Sequence, residues 1–365
     1  MSQENDNGME DPSSSESDPN AVWDRIKDSQ VFMDHLPRTN AHRIGDDCTR
    51  LVLMSDTHGK HRQVMLPRGD CLIHAGDFTR AGETEAIKDL SACFQEAAFL
   101  QVICIAGNHD ITLHPSYYHE HGHRFRRPDA QPLDVQATRK ALEHCTYLED
   151  SSCTLLKSGL SVYGSPWTPK YYNWAFNLPR GKALRSVWSR IPTSTDVLIT
   201  HGPPLGRGDY TMHAECTGCV DLLQEVQTRI RPRLHVFGHI HEGHGVTFDG
   251  HTLFVNASNC NTNYQTANRC TVIDLPHDTS KSAMIVEPHC QIQGSELPAW
   301  LAQRGYETLC RHAKDSKGKP LIPSGNALLQ ASGFRAIARA WSITGNKKAL
   351  SELQTALAQV YAESF

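Results

Sequence analysis

No stretch of the chain approaches the roughly 20 apolar residues that a bilayer-spanning helix needs, so a membrane protein is not expected. The opening residues, MSQENDNGMEDPSSSESDPN, are polar and acidic and lack the basic-then-apolar order of a secretory signal. Positive charge is not in excess either: 36 basic against 40 acidic side chains give a formal net charge of -4. With no arginine-rich strip to track a phosphate backbone, long nucleic acids are excluded as partners. A disulfide framework is also missing. The 12 cysteines are scattered, and Cys71 in DCLIHAG and Cys104 in VICIAG sit inside apolar runs, where cysteine behaves as a small hydrophobe. Cys216 and Cys219 in CTGC have the spacing of a redox or zinc element. No second pair matches them, which favours packing at a helix start. These absences describe a reduced, cytoplasmic protein.

What is present is an alternation of strands and helices. RLVLMSD, DCLIHAGD, QVICIAGN, DVLITHGPP and LHVFGHIH are short apolar runs ended by a turn or a polar cluster, the pattern of buried strands. ETEAIKDLSACFQEAAF, VQATRKALEHC and GCVDLLQEVQTRI carry helical spacing between them. GVTFDGHTLFVNASN contains Asp249-Gly250 between β-formers, a hairpin signal. The fold class is therefore α/β with mixed strand pairing. Residues 1–20 read as a disordered acidic N-terminus and 21–280 as the domain. Residues 276–296 look irregular. Residues 281–365 read as a linker and a helical C-terminal extension, a packed cap or a surface for a protein partner.

The ends of the strands carry the chemistry. RLVLMSD runs into Asp56-Thr57-His58, DCLIHA into Gly76-Asp77, and QVICIA into Gly107-Asn108-His109-Asp110. DVLIT runs into His201-Gly202, and LHVF into Gly238-His239-Ile240-His241. Each run delivers a potential metal ligand at its C-terminal end, the side where an α/β sheet gathers its ligands. Asp56 with His58, and His239 with His241, are two-residue pairs that share a face in extended backbone. The glycines at 76, 107, 202 and 238 allow tight turns and close approach. His235 begins its strand and reads as structural, while His244 has no assigned role.

These blocks, DTHG, GD, GNHD, THGPP and GHIH in this order, resemble the calcineurin-like metallophosphoesterases. SPWTP, WAFNLPRG, THGPPLG and LHVFGHIHEG are similar to the animal metallophosphoesterase-domain-containing phosphodiesterases related to class III cyclic-nucleotide phosphodiesterases. The resemblance covers about residues 48–275. It implies a four-layer α-β-β-α sandwich of two mixed sheets and a pair of divalent metal ions. Asp56, His58 and His241 would hold one ion; Asn108, His201 and His239 would hold the other; Asp77 would bridge them. His109 would stand beside the phosphate as a general acid. Asp110, in place of the glutamate usual in that block, would orient the His109 ring.

Nitrogen and oxygen donors without thiolate suit Mn, Fe or Zn, with manganese favoured in vitro. Two divalent ions against two carboxylates and a bridging hydroxide leave one positive charge. A phosphodiester would neutralise it and a monoester dianion would overshoot, so a diester is favoured; the resemblance implies that the diester attacked by that hydroxide is a small, cyclic nucleotide. A phosphomonoesterase or protein phosphatase, or a nucleotide-binding scaffold of low turnover, are the alternatives. GSPWTPKYYNWAFNLPRG gathers Trp167, Tyr171, Tyr172, Trp174, Phe176 and Arg180. It reads either as a hydrophobic plug or as a lip with Trp167 and Trp174 stacking a nucleobase and Arg180 near the phosphate. His119, His121 and His123 in HEHGHRFRRP read as a solvated loop ahead of an extra metal site.

Overall fold

The structure, a computed structural model, describes residues 18–39, 45–213 and 215–286. One sheet contains β1 (Arg38–Thr39), β2 (Cys48–Met54), β3 (Cys71–His74), β4 (Gln101–Cys104), β5 (Thr146–Tyr147), β14 (Thr271–Pro276) and β15 (Met284–Val286), in the order β1-β15-β14-β2-β3-β4-β5. The other contains β6 (Ser151–Thr154), β7 (Ser161–Ser165), β10 (Val197–Thr200), β11 (Leu234–Phe237), β12 (Gly245–Phe248) and β13 (Leu253–Asn256), in the order β12-β13-β11-β10-β7-β6. A short parallel pair, β8 (Thr168–Pro169) and β9 (Asn177–Leu178), brackets the aromatic segment.

Every residue of β2 is buried, yet its side chains enter two different cores. Leu51 and Leu53 point between the sheets, where Ile73 and Ile103 meet Val162, Val197, Ile199, Val236 and Val255. Val52 and Met54 point outward to Ile87, Leu90 and Phe94 of the helix Thr84–Glu96. The two-residue period of a strand demands a layer on each side. The second sheet repeats the arrangement: Leu198, Phe237 and Phe254 pack under Leu184, Val187 and Trp188 of the helix Lys182–Trp188, and under Leu222. Both sheets mix parallel and antiparallel neighbours, so the four-layer sandwich and its mixed sheets are as expected. The buried ion pair across β2 and β14, Arg50 with Asp274 at 2.7 and 2.8 Å, is two-pronged, which offsets part of its desolvation.

The strands ending at 54, 74, 104, 200 and 237 lie where the apolar runs put them, and the Asp249-Gly250 turn joins β12 antiparallel to β13. Other boundaries moved. A helix begins at Pro19, inside the stretch expected to be disordered, because Asp18 caps the Asn20 N–H and proline is preset for a first turn. Its Val22 packs with Leu205, Cys216 and Leu223. β14 and β15 extend past residue 275, so part of the supposedly irregular 276–296 is sheet; three residues of strand are too few for a periodic signal. VQATRKALEHC is helical only over Val135–Lys140. GCVDLLQEVQTRI turns from α-helix into a π-turn at Val226–Ile230 and ends on Arg231 in the left-handed region, just before Pro232. The C-terminal helices expected beyond residue 297 lie outside the described residues. Among those described, no helix is long and apolar enough to cross a membrane.

Cys71 and Cys104 are buried free thiols. Cys219 accepts a contact from the Trp188 indole N–H at 3.3 Å, and Cys216 lies in the apolar cluster under the N-terminal helix. CTGC is packing. His235 is buried too, on the Thr200 hydroxyl at 2.8 Å, where burial pushes its pKa down to about 3.

Candidate metal centre

The loops that follow β2, β3, β4, β10 and β11 are laced to one another by their backbones. Asp56 N–H donates to the Gly76 carbonyl at 2.9 Å, His58 N–H to the Asp77 carbonyl at 3.0 Å, and Gly238 N–H to the His201 carbonyl at 2.9 Å. Carboxylates complete the lacing. Asp56 accepts from the His239 N–H at 3.0 Å and from the Ser258 hydroxyl at 2.8 Å, and Asp77 accepts from the His109 N–H at 2.8 Å.

Two donor clusters result. Ligand atoms of Asp56, His58 and His241 lie within 4.8 Å of one another, and so do those of Asp77, His201 and His239. Asn108 joins the second cluster, its Oδ1 standing 3.0 Å from Nε2 of His201. Asp77 connects the two: its Oδ2 is 3.9 Å from Nε2 of His58 and 3.4 Å from Nε2 of His201. His109 places a ring nitrogen in the same span as His58 and Asp77.

The tautomers are set from outside. Nδ1 of His201 faces the Ala75 carbonyl at 2.9 Å, that of His241 the Asn261 carbonyl at 2.9 Å, and that of His58 the Thr79 carbonyl at 3.2 Å. A carbonyl only accepts, so each Nδ1 carries a proton and each Nε2 is the nitrogen left to face inward. Nε2 of His58 and Nε2 of His241 face each other at 3.2 Å. Nitrogens and carboxylate oxygens gathered at one point need positive charge among them, which a proton on His201 supplies, its pKa raised to about 9 by Asp77, and which a divalent cation would supply in that proton's place. The residues therefore fit divalent cations, and the mixed nitrogen and oxygen donors suit Mn, Fe or Zn.

Electrostatics agree. Burial pushes His58 down to about 4 and His239 down to about 3, so both are neutral imidazoles, the ligating form. Burial would raise Asp56, but the hydrogen bond and charge of His241 outweigh it and hold the carboxyl below its usual range. Asp77 is likewise held low against burial, chiefly by His201, whose own pKa is raised to about 9 by Asp77 despite burial.

The pairs two residues apart do not work as pleated backbone. Asp56, His58, Asp77 and His239 all have positive φ, at 53°, 45°, 56° and 69°. Left-handed backbone at non-glycine positions is strained and concentrates at functional sites. It aims His239 at His201 and leaves His241 beside His58. Two glycines are required by contact. A Cβ at 107 would meet Oδ1 of Asp77 at 2.2 Å, and one at 238 would meet Oδ2 of Asp56 at 2.0 Å and Oγ of Ser55 at 2.1 Å. Gly238→Ala is thus expected to lose the metal held by Asp56 while the far-ultraviolet circular dichroism stays native, as metal analysis of the purified variant would read. Gly202 makes no such contact: a Cβ there would meet Thr168.

Three other expected roles change. Asp110 does not touch the His109 ring. It is buried and accepts from the N–H groups of Asp77, Thr79 and Gly107 at 2.9, 2.9 and 2.8 Å and from the Thr79 hydroxyl at 2.7 Å. Burial and the charge of Asp77 push its pKa up to about 7. The group that orients His109 is the Arg80 carbonyl, 2.7 Å from Nδ1. Arg180 is committed elsewhere, donating to the Gly218 and Thr217 carbonyls at 2.7 and 2.6 Å, and so fastens the loop after His201. Trp167 donates to Asp150 at 2.9 Å and packs on His114 and Phe176, so it is part of a plug. Trp174 does reach the site. It stacks on His109 with centroids 4.1 Å apart and planes 29° apart, and Phe125 lies 4.8 Å from its ring. His119 and His123 are exposed, and neither belongs to a donor cluster among the described residues.

Tyr264 was not anticipated. Its ring stands edge-on to His58 at 4.8 Å, His241 at 5.6 Å and His109 at 6.3 Å. The stretch NASNCNTNY reads as a polar turn, and only its density of asparagines, which tolerate left-handed backbone, hints at a built loop.

Comparison with known proteins agrees with this geometry. The calcineurin-like phosphoesterase family matches residues 49–243, and the chain belongs to that family. Metallophosphoesterase domain-containing protein 1 of Homo sapiens is 45% identical over 239 residues, covering 62% of this chain and 71% of that one. UPF0046 protein C25E10.12 of Caenorhabditis elegans is 35% identical over 284 residues, covering 74% and 96%. The fold and donor set are thus those of a metallophosphoesterase, a hydrolase of phosphoester bonds whose family uses divalent metal ions.

Proposed function

We propose that the protein is a phosphodiesterase that hydrolyses small, cyclic nucleotides with two divalent ions, manganese serving in vitro. The observation that supports this reading is Asp77, a member of the second donor cluster whose Oδ2 also stands 3.9 Å from Nε2 of His58 in the first. Asp56, His58 and His241 would hold one ion, Asn108, His201 and His239 the other. Such a pair, when bound, neutralises phosphoryl oxygens and makes water a nucleophile at neutral pH. With one net positive charge left after both carboxylates and a hydroxide are counted, a monoanionic diester suits the site better than a dianionic monoester.

The remaining work falls to the chain itself. The Arg80 carbonyl accepts from the Nδ1–H of His109, so Nε2 is the nitrogen left to face the substrate, and the doubly protonated ring is the form that gives its Nε2 proton to the departing oxygen. Trp174, wedged between His109 and Phe125, keeps that ring in one plane. Trp174→Ala is expected to lower kcat about tenfold with KM little changed, because a misaimed acid slows chemistry without weakening binding. The free thiols at Cys71 and Cys104 support a reducing compartment, the cytoplasm.

The test is direct. Metal content is measured on the purified full chain, and manganese-supported hydrolysis is compared on bis-p-nitrophenyl phosphate, p-nitrophenyl phosphate and cyclic nucleotides. The diester and a cyclic nucleotide should turn over fastest. Two bound metals with no hydrolysis of any of them overturns the reading.

A further inference from the structure

We infer that Tyr264 is the substrate-facing aromatic of this site, a specificity residue on which the flat ring of a nucleoside leaving group packs. The inference rests on the phosphodiester reading and names the part of the substrate that reading leaves open. Trp174 cannot serve, because His109 and Phe125 lie against its ring. Trp167 is tied into the plug through Asp150. Tyr264 is 39% exposed while its ring edges onto three imidazoles of the centre, so one side belongs to the site and the other is open.

Its position is built. The Tyr264 backbone has a φ of 56°, its N–H donates to the Asn261 carbonyl at 2.8 Å, and its own carbonyl accepts from Lys60. Asn261 closes the turn by accepting from the N–H groups of Asn263 and Gln265 at 3.0 Å each. The same Asn261 carbonyl holds Nδ1 of His241. Tyr264 is thereby fixed relative to a metal ligand through one residue. His109 has Trp174 stacked on it at 4.1 Å and Tyr264 edge-on at 6.3 Å, so a group leaving beside this ring has the Tyr264 ring within reach. An exposed aromatic face beside a donor cluster suits a planar ring and offers an aliphatic ester nothing specific.

The experiment compares 5′-AMP with ribose 5-phosphate, which differ by the base alone, in calorimetric titrations of the manganese-loaded full chain. The wild type should bind 5′-AMP at least about tenfold more tightly, the low end of what one stacked base contributes. Tyr264→Leu should abolish that preference and leave ribose 5-phosphate within about twofold, while Tyr264→Phe should keep it. Metal content is measured for each variant. Equal weakening of both ligands, or loss of metal, would make Tyr264 a brace of the centre and overturn the inference. Ribose 5-phosphate binding with no preference for 5′-AMP overturns this inference alone. Failure of the wild type to bind either ligand overturns it together with the phosphoester reading.

Discussion

Replacing His109 with alanine is expected to cut turnover by about 10²- to 10⁴-fold, the usual contribution of a positioned proton donor, while both metal ions stay bound. The reason is the division of labour at the site. The two donor clusters can each be completed without His109, by Asp56, His58 and His241 and by Asp77, Asn108, His201 and His239. The ring of His109 instead hangs between the Arg80 carbonyl and the Trp174 face. Its backbone N–H, which survives the substitution, still holds Oδ1 of Asp77. Loss should be greatest for poor leaving groups and small for p-nitrophenolate, which needs no proton. Metal analysis with a leaving-group series checks this, and loss of metal in the variant would instead make His109 a ligand.

Asp110→Ala is expected to be the more damaging change, although Asp110 offers no ligand atom to either donor cluster. Its carboxylate collects four donors, from Asp77, Gly107 and twice from Thr79. Each buried donor left unpaired costs about 1–3 kcal/mol, so a total on the order of 4 kcal/mol or more is at stake. The donors sit in the loops after β3 and β4, which carry Asp77 and Asn108. Stability in urea should drop by that amount and metal affinity with it. Asp110→Asn, which retains one acceptor oxygen, should fall between wild type and alanine. An alanine variant as stable as the wild type, with metal intact, would remove Asp110 from this role.

The contrast shows what the sequence could and could not convey. Apolar runs ending at residues 54, 74, 104, 200 and 237 made the strands and the ligand positions legible, because burial on two faces leaves a strong local pattern. Asp110 was legible as a member of the third block, but three of its four hydrogen bonds come from Asp77 and Thr79, 33 and 31 residues away, which no spacing reveals. Arg180 failed for a similar reason: a guanidinium beside clustered aromatics suggests a phosphate, whereas its partners are the carbonyls of residues 217 and 218. Trp174 lies against His109, and its contact with Phe125 makes it a prop where a platform was expected. Tyr264 left almost no trace, since its position depends on a turn organised by Asn261. Three of the four histidines of LHVFGHIHEGHG separate cleanly: His235 is sealed against Thr200, and His239 and His241 face different clusters.

The left-handed backbone at Asp56, His58, Asp77 and His239 also bears on how this protein can change over generations. Glycine relieves such strain, and asparagine tolerates it as readily as aspartate. Substitutions such as His58→Asn or His239→Gly would relieve that strain while stripping a donor from the centre. Loss of catalysis is therefore the downhill direction for a duplicated copy. A working copy is kept only by selection on chemistry, because stability alone prefers the silent one.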